Sequence, residues 1–192
     1  MRSVKSKAEQ SMIREACEIS RTSYDRMLRT VKPGMTEWDV METLEHGYRS
    51  NGSRGPGYNT IVGAGLNGTV LHYTANKAPL EKNDLIVIDS GADFGGYTAD
   101  VTRTIPAGGR FTKRQREIYE IVLEAQLAAI AATKAGTTFA AIDKAARDVI
   151  TKAGYGDAFF HGCGHHLGLE VHDITPEGPI PENAVITIEP GI

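Results

Sequence analysis

The stretch LIVIDSGADFGGYTADVTRT, residues 85–104, decides both the fold class and the chemistry of this chain. It opens with an apolar, β-branched run typical of a β-strand, which ends on Asp89, and Asp100 follows eleven residues later. Burying an unpaired carboxylate is costly, so acids in such a setting require a cation or a hydrogen-bond network. Either acid alone is explained equally well by a polar sheet margin, but the pair indicates a carboxylate-rich metal site.

A second cluster of metal-capable side chains lies near the end of the chain. Its members are His161, His165, His172 and Glu189. Glu189 again ends an apolar strand-like run, VITIE. His46 is set aside as an exposed residue of a helix, and His166 is expected to face away from His165, because neighbouring residues of an extended segment alternate faces.

Bulk composition is that of an ordinary globular protein. With 192 residues, 41% hydrophobic and 23% charged, we expect one domain spanning residues 1–192. The net charge of -3 argues against a nucleic-acid partner. Cys17 and Cys163 form no disulfide framework, and Cys17 is expected at a buried helical position. No apolar stretch is long enough for a membrane span or a signal segment, so we expect a cytoplasmic protein.

Helix-start signals and apolar periodicity predict two helices, then strands, then two more helices and more strands. The predicted helices run from Ser6 to near Pro33, Thr36 to about Gly52, Thr112 to about Lys134 and Thr138 to near Gly154. Strands are expected up to Pro106 and again after the fourth helix. In the first helix, Met12, Ala16, Ile19, Met27 and Leu28 recur at helical spacing.

The repeated element order reflects an internal duplication. A shift of 102 residues aligns the helix pairs, and a shift of 100 aligns His72 with His172 and Asp89 with Glu189. The repeats cover about 7–106 and 112–192. We therefore predict an α+β domain with pseudo-twofold symmetry and a site that draws ligands from both halves. The counterpart of Asp100 would lie near position 200, so the second repeat looks unfinished.

Carboxylates that can bridge, together with an imidazole, suit a pair of divalent ions that activate water for amide hydrolysis. In this interpretation the metal ligands are Asp89, Asp100, His165 and Glu189. His72 and His172, which the duplication relates, would hydrogen-bond the scissile carbonyl, and His161 would shuttle a proton.

Four motifs in this order resemble the pita-bread metallopeptidases, and the Xaa-Pro aminopeptidase and prolidase branch in particular. They are LHYT at 71–74, IDSGADFGGYTADVTRT at 88–104, HGCGHHLGLEVHD at 161–173 and TIEPG at 187–191. The resemblance implies the same metal ligands, with manganese as the common metal and cobalt, zinc or iron as alternatives. It also implies that His72, His161 and His172 assist catalysis, that the substrate is a peptide with proline at its second position, and that a homodimer is one candidate assembly.

Two departures from that pattern set further expectations. The family uses a fifth ligand, a glutamate on a strand after the EPG motif, and Ile192 is reached before it. Its full-length members also carry a separate N-terminal domain. We therefore expect a catalytic domain whose last strands are missing, which binds at most one metal tightly and is weak or inactive.

The sequence also allows four alternatives. A metal-free creatinase-like amidinohydrolase and a noncatalytic pita-bread module that binds peptides or proteins both remain open. GAGLNG at 63–68 matches a dinucleotide-binding pattern, but no helix is predicted after it, so a glycine-rich turn is the better interpretation. Cys163 as a nucleophile lacks a placed base.

Overall fold

The computed structural model describes residues 2–192, which divide into two units. The N-terminal unit consists of Ala8–Thr112 with Leu169–Val171. The C-terminal unit consists of Lys113–Gly168 and His172–Ile192, together with the described residues up to Lys7. The organisation as one domain with repeats at 7–106 and 112–192 stays a prediction. In the described part of the chain, no helix has both the length and the apolar character needed to cross a bilayer.

Helix α1, Lys7–Leu28, ends earlier than predicted. The amides of Thr30 and Val31 both donate to the carbonyl of Met27, and this turn stops the helix before Pro33 is reached. The buried stripe passes through Ile13, Ala16, Ile19, Tyr24 and Met27. Of the predicted apolar pattern, Ala16, Ile19 and Met27 are thus buried, whereas Met12 and Leu28 are exposed. The expectation of a buried Cys17 is wrong, since it is exposed.

Helix α2, Glu37–Ser50, begins where its capping box places it. The side chain of Thr36 accepts a hydrogen bond from the amide of Asp39, and the Asp39 carboxylate accepts one from the amide of Thr36 at 2.7 Å. Two of the amides left without helical partners are thereby satisfied. Leu44 and Tyr48 then face the core of the N-terminal unit.

Six short strands form two antiparallel sheets in the N-terminal unit. They are β1 Gly55–Pro56, β2 Ile61–Ala64, β3 Leu85–Asp89, β4 Ala92–Phe94, β5 Tyr97–Thr98 and β6 Thr102–Pro106. One sheet has the order β2-β3-β6 and the other β1-β4-β5. A 3-10 turn, Gly65–Thr69, follows β2, so the glycine-rich stretch is a turn and not a dinucleotide-binding helix start.

In the C-terminal unit, α3 is Lys113–Ala132, α4 is Phe139–Lys152 and a 3-10 turn covers Gly156–Ala158. Thr138 caps α4 as predicted, accepting from the amide of Ala141. The core of this unit contains Ile142, Ile150 and Phe159.

The strands predicted after α4 are not present as regular strands within the described residues. Segments 163–167 and 185–189 nevertheless run antiparallel, joined by backbone bonds such as Glu189 N to Cys163 O at 2.8 Å. The ladder is irregular because the amide of His165 donates to the Thr187 hydroxyl instead of to a carbonyl. The His166–Ile186 bridge corresponds to the Ala64–Ile86 pair of β2 and β3 under the predicted shifts of 102 and 100.

Candidate metal site

The two aspartates of the opening stretch lie on neighbouring segments of the N-terminal unit. Asp89 ends β3, and Asp100 lies between β5 and β6. The amide of Ser90 donates to Val101 O at 3.1 Å, which ties the two segments together. The hydroxyl of Tyr24 on α1 donates to the same carbonyl at 2.7 Å. Both half-buried carboxylates are thus held on a rigid backbone frame.

Gly91 permits this close approach. A Cβ atom at this position would overlap the carbonyl oxygen of Ala99, which is backbone and has no freedom to rotate away. A glycine is therefore required at position 91, because the backbone of the segment that carries Asp100 lies in contact with it.

Tyr58 joins the two carboxylates directly. Its hydroxyl lies 2.5 Å from Asp89 Oδ1 and 3.2 Å from Asp100 Oδ1. Burial, and then the charges of the two carboxylates, raise the pKa of Tyr58 far above its usual value, so it stays a neutral donor. Sequence reasoning missed Tyr58, and its only signal was an aromatic residue just before a predicted strand. Two carboxylates converging on one donor suit a cation.

In the C-terminal unit, His165 and Glu189 face each other. His165 Nε2 lies 3.0 Å from Glu189 Oε1, and the Thr187 hydroxyl donates to the same oxygen at 2.7 Å. His165 Nδ1 lies 3.0 Å from the carbonyl of His166, which can only accept, so Nδ1 carries a proton. Nε2 donates to Glu189 when it carries a proton as well, and a bound cation would take the place of that proton on an imidazole already oriented by the His166 carbonyl.

Glu189 is anionic in this setting. Burial alone would raise its pKa, but the hydrogen bonds from His165 and Thr187 outweigh burial and leave the pKa below its usual value. An anionic carboxylate beside an oriented imidazole, and a pair of carboxylates in the other unit, are donor sets that fit divalent cations. The residues present therefore fit the implied metal.

The three predicted catalytic histidines have different surroundings. His172 is exposed, and its ring centroid lies 4.2 Å from that of His165. His161 packs edge-on against Phe159 at 5.0 Å. His72 is exposed in the N-terminal unit and has a positive φ of 56°. The C-terminal unit thus groups His161, His165, His172 and Glu189, and the N-terminal unit holds Asp89, Asp100 and His72. The roles of these seven residues stay predictions.

His166 and Cys163 do not belong to this chemistry. His166 is buried and packs edge-on against Phe139, as expected for a residue facing away from His165. Cys163 is also buried, and desolvation raises its pKa to about 11, so the thiol stays protonated near neutral pH. The cysteine-nucleophile alternative is therefore disfavoured.

Sequence reasoning also missed an ion pair on α4 that anchors the His161 segment. Arg147 donates to the carbonyls of Phe159 at 2.5 Å and of His161 at 3.0 Å, and Asp143 accepts from the amide of Cys163 at 3.1 Å. The Arg147 hydrogen bonds hold the pKa of Asp143 below its usual range. The sequence signal for this pair was an acid and a base four residues apart, Asp143 and Arg147, on a predicted helix.

Arg147→Gln tests this anchor. Because it removes charge-assisted bonds to two carbonyls, we expect a melting temperature lower by several degrees and faster amide exchange in segment 159–165. The matched control is Arg116→Gln, which breaks an exposed pair with Glu120 of the same spacing on α3. Differential scanning calorimetry and hydrogen exchange measure both effects, and equal changes in the two variants would contradict the anchoring role.

Comparison with known proteins identifies the family of this chain. The model of metallopeptidase family M24 matches residues 11–192. The Xaa-Pro dipeptidase of Pyrococcus furiosus is 40% identical over 197 residues, covering 100% of this chain and 56% of that protein. The Xaa-Pro aminopeptidase of Escherichia coli is 35% identical over 215 residues, covering 100% and 49%. The solved structure of the Pyrococcus furiosus prolidase has a TM-score of 0.94 at 40% identity, covering 98% of this chain and 57% of that one.

The fold and the donor sets define a pita-bread metallopeptidase domain. The chain belongs to metallopeptidase family M24, and the relatives it resembles are named as Xaa-Pro peptidases. It spans about half the length of those curated relatives.

Proposed function

We propose that the protein containing this chain is an aminopeptidase that hydrolyses the bond between an N-terminal residue and proline, using two divalent ions. The observation that carries the proposal is the match of the whole chain to Xaa-Pro peptidases at up to 40% identity. The oriented His165 beside anionic Glu189 supports it, because this arrangement is suited to metal ligation.

The residues divide into two roles in this proposal. Asp89, Asp100, His165 and Glu189 hold the ions, with manganese as the expected metal. Ions in such a site activate a water molecule and polarise the scissile carbonyl. Manganese as the native metal and a homodimer are predictions from the resemblance, and a cytoplasmic location is a prediction from the hydropathy of the sequence.

The histidines act on the substrate. His72 and His172 are both exposed, so a bound peptide can reach each of them. They donate hydrogen bonds to the carbonyl oxygen as negative charge develops on it, and His161 transfers a proton to the departing proline nitrogen. Arg147 holds the His161 backbone in place for this role.

The test uses the full-length protein with Mn²⁺ and a pair of peptides that differ only in proline or alanine at the second position. We expect cleavage after the first residue of the proline peptide only, and loss of activity with a chelator. His72→Ala should lower kcat about 100-fold or more, whereas His46→Ala, at an exposed helical position, should not.

Other outcomes identify the alternatives. Equal cleavage of both peptides would overturn the substrate assignment. Binding of the proline peptide without cleavage would favour a noncatalytic module. Turnover in protein shown by elemental analysis to contain no metal would favour the creatinase-like alternative.

A further inference from the structure

The loop that carries His72 lacks the packing that usually fixes a loop. Leu66, Val70 and Leu71 are 86%, 55% and 51% exposed, so few apolar side chains of the loop are buried. His72 and Asn76 nevertheless adopt positive φ values of 56° and 47°, which non-glycine residues seldom do. Such a conformation persists only when surrounding contacts impose it. Polar anchors must therefore hold this loop.

Glu37 is the main anchor. It is the first residue of α2 and its residue surface is 0% exposed. Its Oε1 accepts from the amide of Ala64 at 2.8 Å and the side chain of Asn67 at 2.9 Å. Its Oε2 accepts from the Tyr73 hydroxyl and from the amide of Ala78, both at 2.9 Å. One carboxylate thus accepts hydrogen bonds from both ends of the loop and from Tyr73, which is adjacent to His72 in sequence.

The negative charge of Glu37 strengthens these hydrogen bonds. Burial would raise its pKa, but four donors converge on the carboxylate and leave the pKa below its usual value. Hydrogen bonds to a charged acceptor are roughly twice as strong as those between neutral groups. Asn76 adds a separate tie to β2, with its side chain bonded to Val62 N and Thr60 O.

The duplicated unit shows that this anchor is not a general requirement of the fold. Under the shift of 102, Glu37 corresponds to Phe139, which packs against His166. The loop that carries His172 is held instead by Asp173, whose carboxylate bonds Lys5 and Arg2. A buried carboxylate at the start of the helix is therefore particular to the His72 loop.

We propose that Glu37 is a positioning residue that holds the loop 64–78 in the conformation presenting His72 to the substrate. The inference rests on the proposed function, because the role of His72 comes from it. Glu37 acts through the loop backbone and Tyr73, and it does not touch the reacting atoms.

The test compares Glu37→Gln with Glu42→Gln in the full-length, Mn²⁺-loaded protein. Glutamine keeps the size of the side chain, but its amide NH2 group would face two donors and could accept no hydrogen bond from them. Since displacement of a catalytic group by about 1 Å costs roughly 100-fold, we expect kcat to fall about 100-fold in Glu37→Gln. Affinity for Mn²⁺ should be unchanged. Glu42 is exposed on the same helix, so Glu42→Gln should leave kcat unchanged.

A double-mutant cycle separates positioning from general stability. In a His72→Ala background, Glu37→Gln should lower kcat by no more than about twofold, because two residues acting through one group are not additive. Hydrogen exchange should quicken in segment 64–78 and stay unchanged in β3 and β6. If Glu37→Gln folds poorly, Tyr73→Phe removes one of the four bonds and should give a smaller loss with the same dependence on His72.

Equal losses with and without His72, or faster exchange throughout the N-terminal unit, would overturn the positioning role. Failure of the proposed function is a different result. In that case the unaltered protein would leave proline peptides uncleaved, while the exchange of segment 64–78 in Glu37→Gln would still decide whether the carboxylate anchors the loop.

Discussion

Asp89→Asn is expected to abolish tight binding of one divalent ion and to remove nearly all peptidase activity of the full-length protein. The amide keeps an oxygen for the Tyr58 hydroxyl, which now lies 2.5 Å from Asp89 Oδ1, so the backbone frame should survive. The charge that favours a cation is lost. We expect the loss of metal affinity to exceed the roughly 10–100-fold seen when residues outside a ligand set are replaced.

Asp93→Asn is the matched control for this prediction. Asp93 lies in the same stretch, but its carboxylate bonds the exposed Arg54 at 3.0 Å. Surface ion pairs of this kind contribute little to stability. Calorimetric titration with Mn²⁺ and elemental analysis compare the two variants. Unchanged metal content in Asp89→Asn would remove Asp89 from the ligand set.

Gly91→Ala is expected to destabilise the N-terminal unit by about 3 kcal/mol, because overpacking against immovable atoms forces backbone shifts. The added methyl group would overlap the Ala99 carbonyl, and no flexible side chain can yield there. The arms that carry Asp89 and Asp100 would have to separate. Metal affinity should therefore fall together with the free energy of unfolding.

Gly162→Ala provides the comparison. A Cβ at Gly162 would meet no atom within 4 Å, and its φ lies outside the left-handed range, so this variant should unfold like the unaltered protein. Denaturant unfolding and Mn²⁺ titration of both variants give the test. If the Gly91→Ala protein were as stable as Gly162→Ala, the segments that carry Asp89 and Asp100 could separate without cost, and the prediction would be wrong.

Much of the fold was predictable because local signals coincide with it. The capping box of Thr36 and Asp39, the cap at Thr138 and the strand that ends on Asp89 are confirmed. Each depends on contacts within a few residues or on a short apolar run. The duplication stays a prediction, and the pairs Ala64–Ile86 and His166–Ile186 correspond under its shifts.

The corrections arise where distant residues decide. The exposure of Cys17 depends on which face of α1 meets the core, and helical spacing alone does not settle that face. The irregular ladder near Glu189 arises because the Thr187 hydroxyl accepts the hydrogen bond of the His165 amide.

Several residues that support the site act on partners that their local sequence does not reveal. Tyr58, Glu37 and Arg147 act on partners 12 to 42 positions away. Their residue types are common at surfaces, so only the folded chain shows that they converge on the aspartates, the His72 loop and the His161 segment.

The sequence by itself determined the family, the order of the helices and N-terminal strands, and the set of metal-capable residues, because ligand chemistry and local backbone preferences depend on residue type and spacing. Only the tertiary structure decided how those residues are held. Hydrogen bonds to buried carboxylates and close backbone contacts, such as those of Glu37 and Gly91, form between segments that meet only when the chain folds.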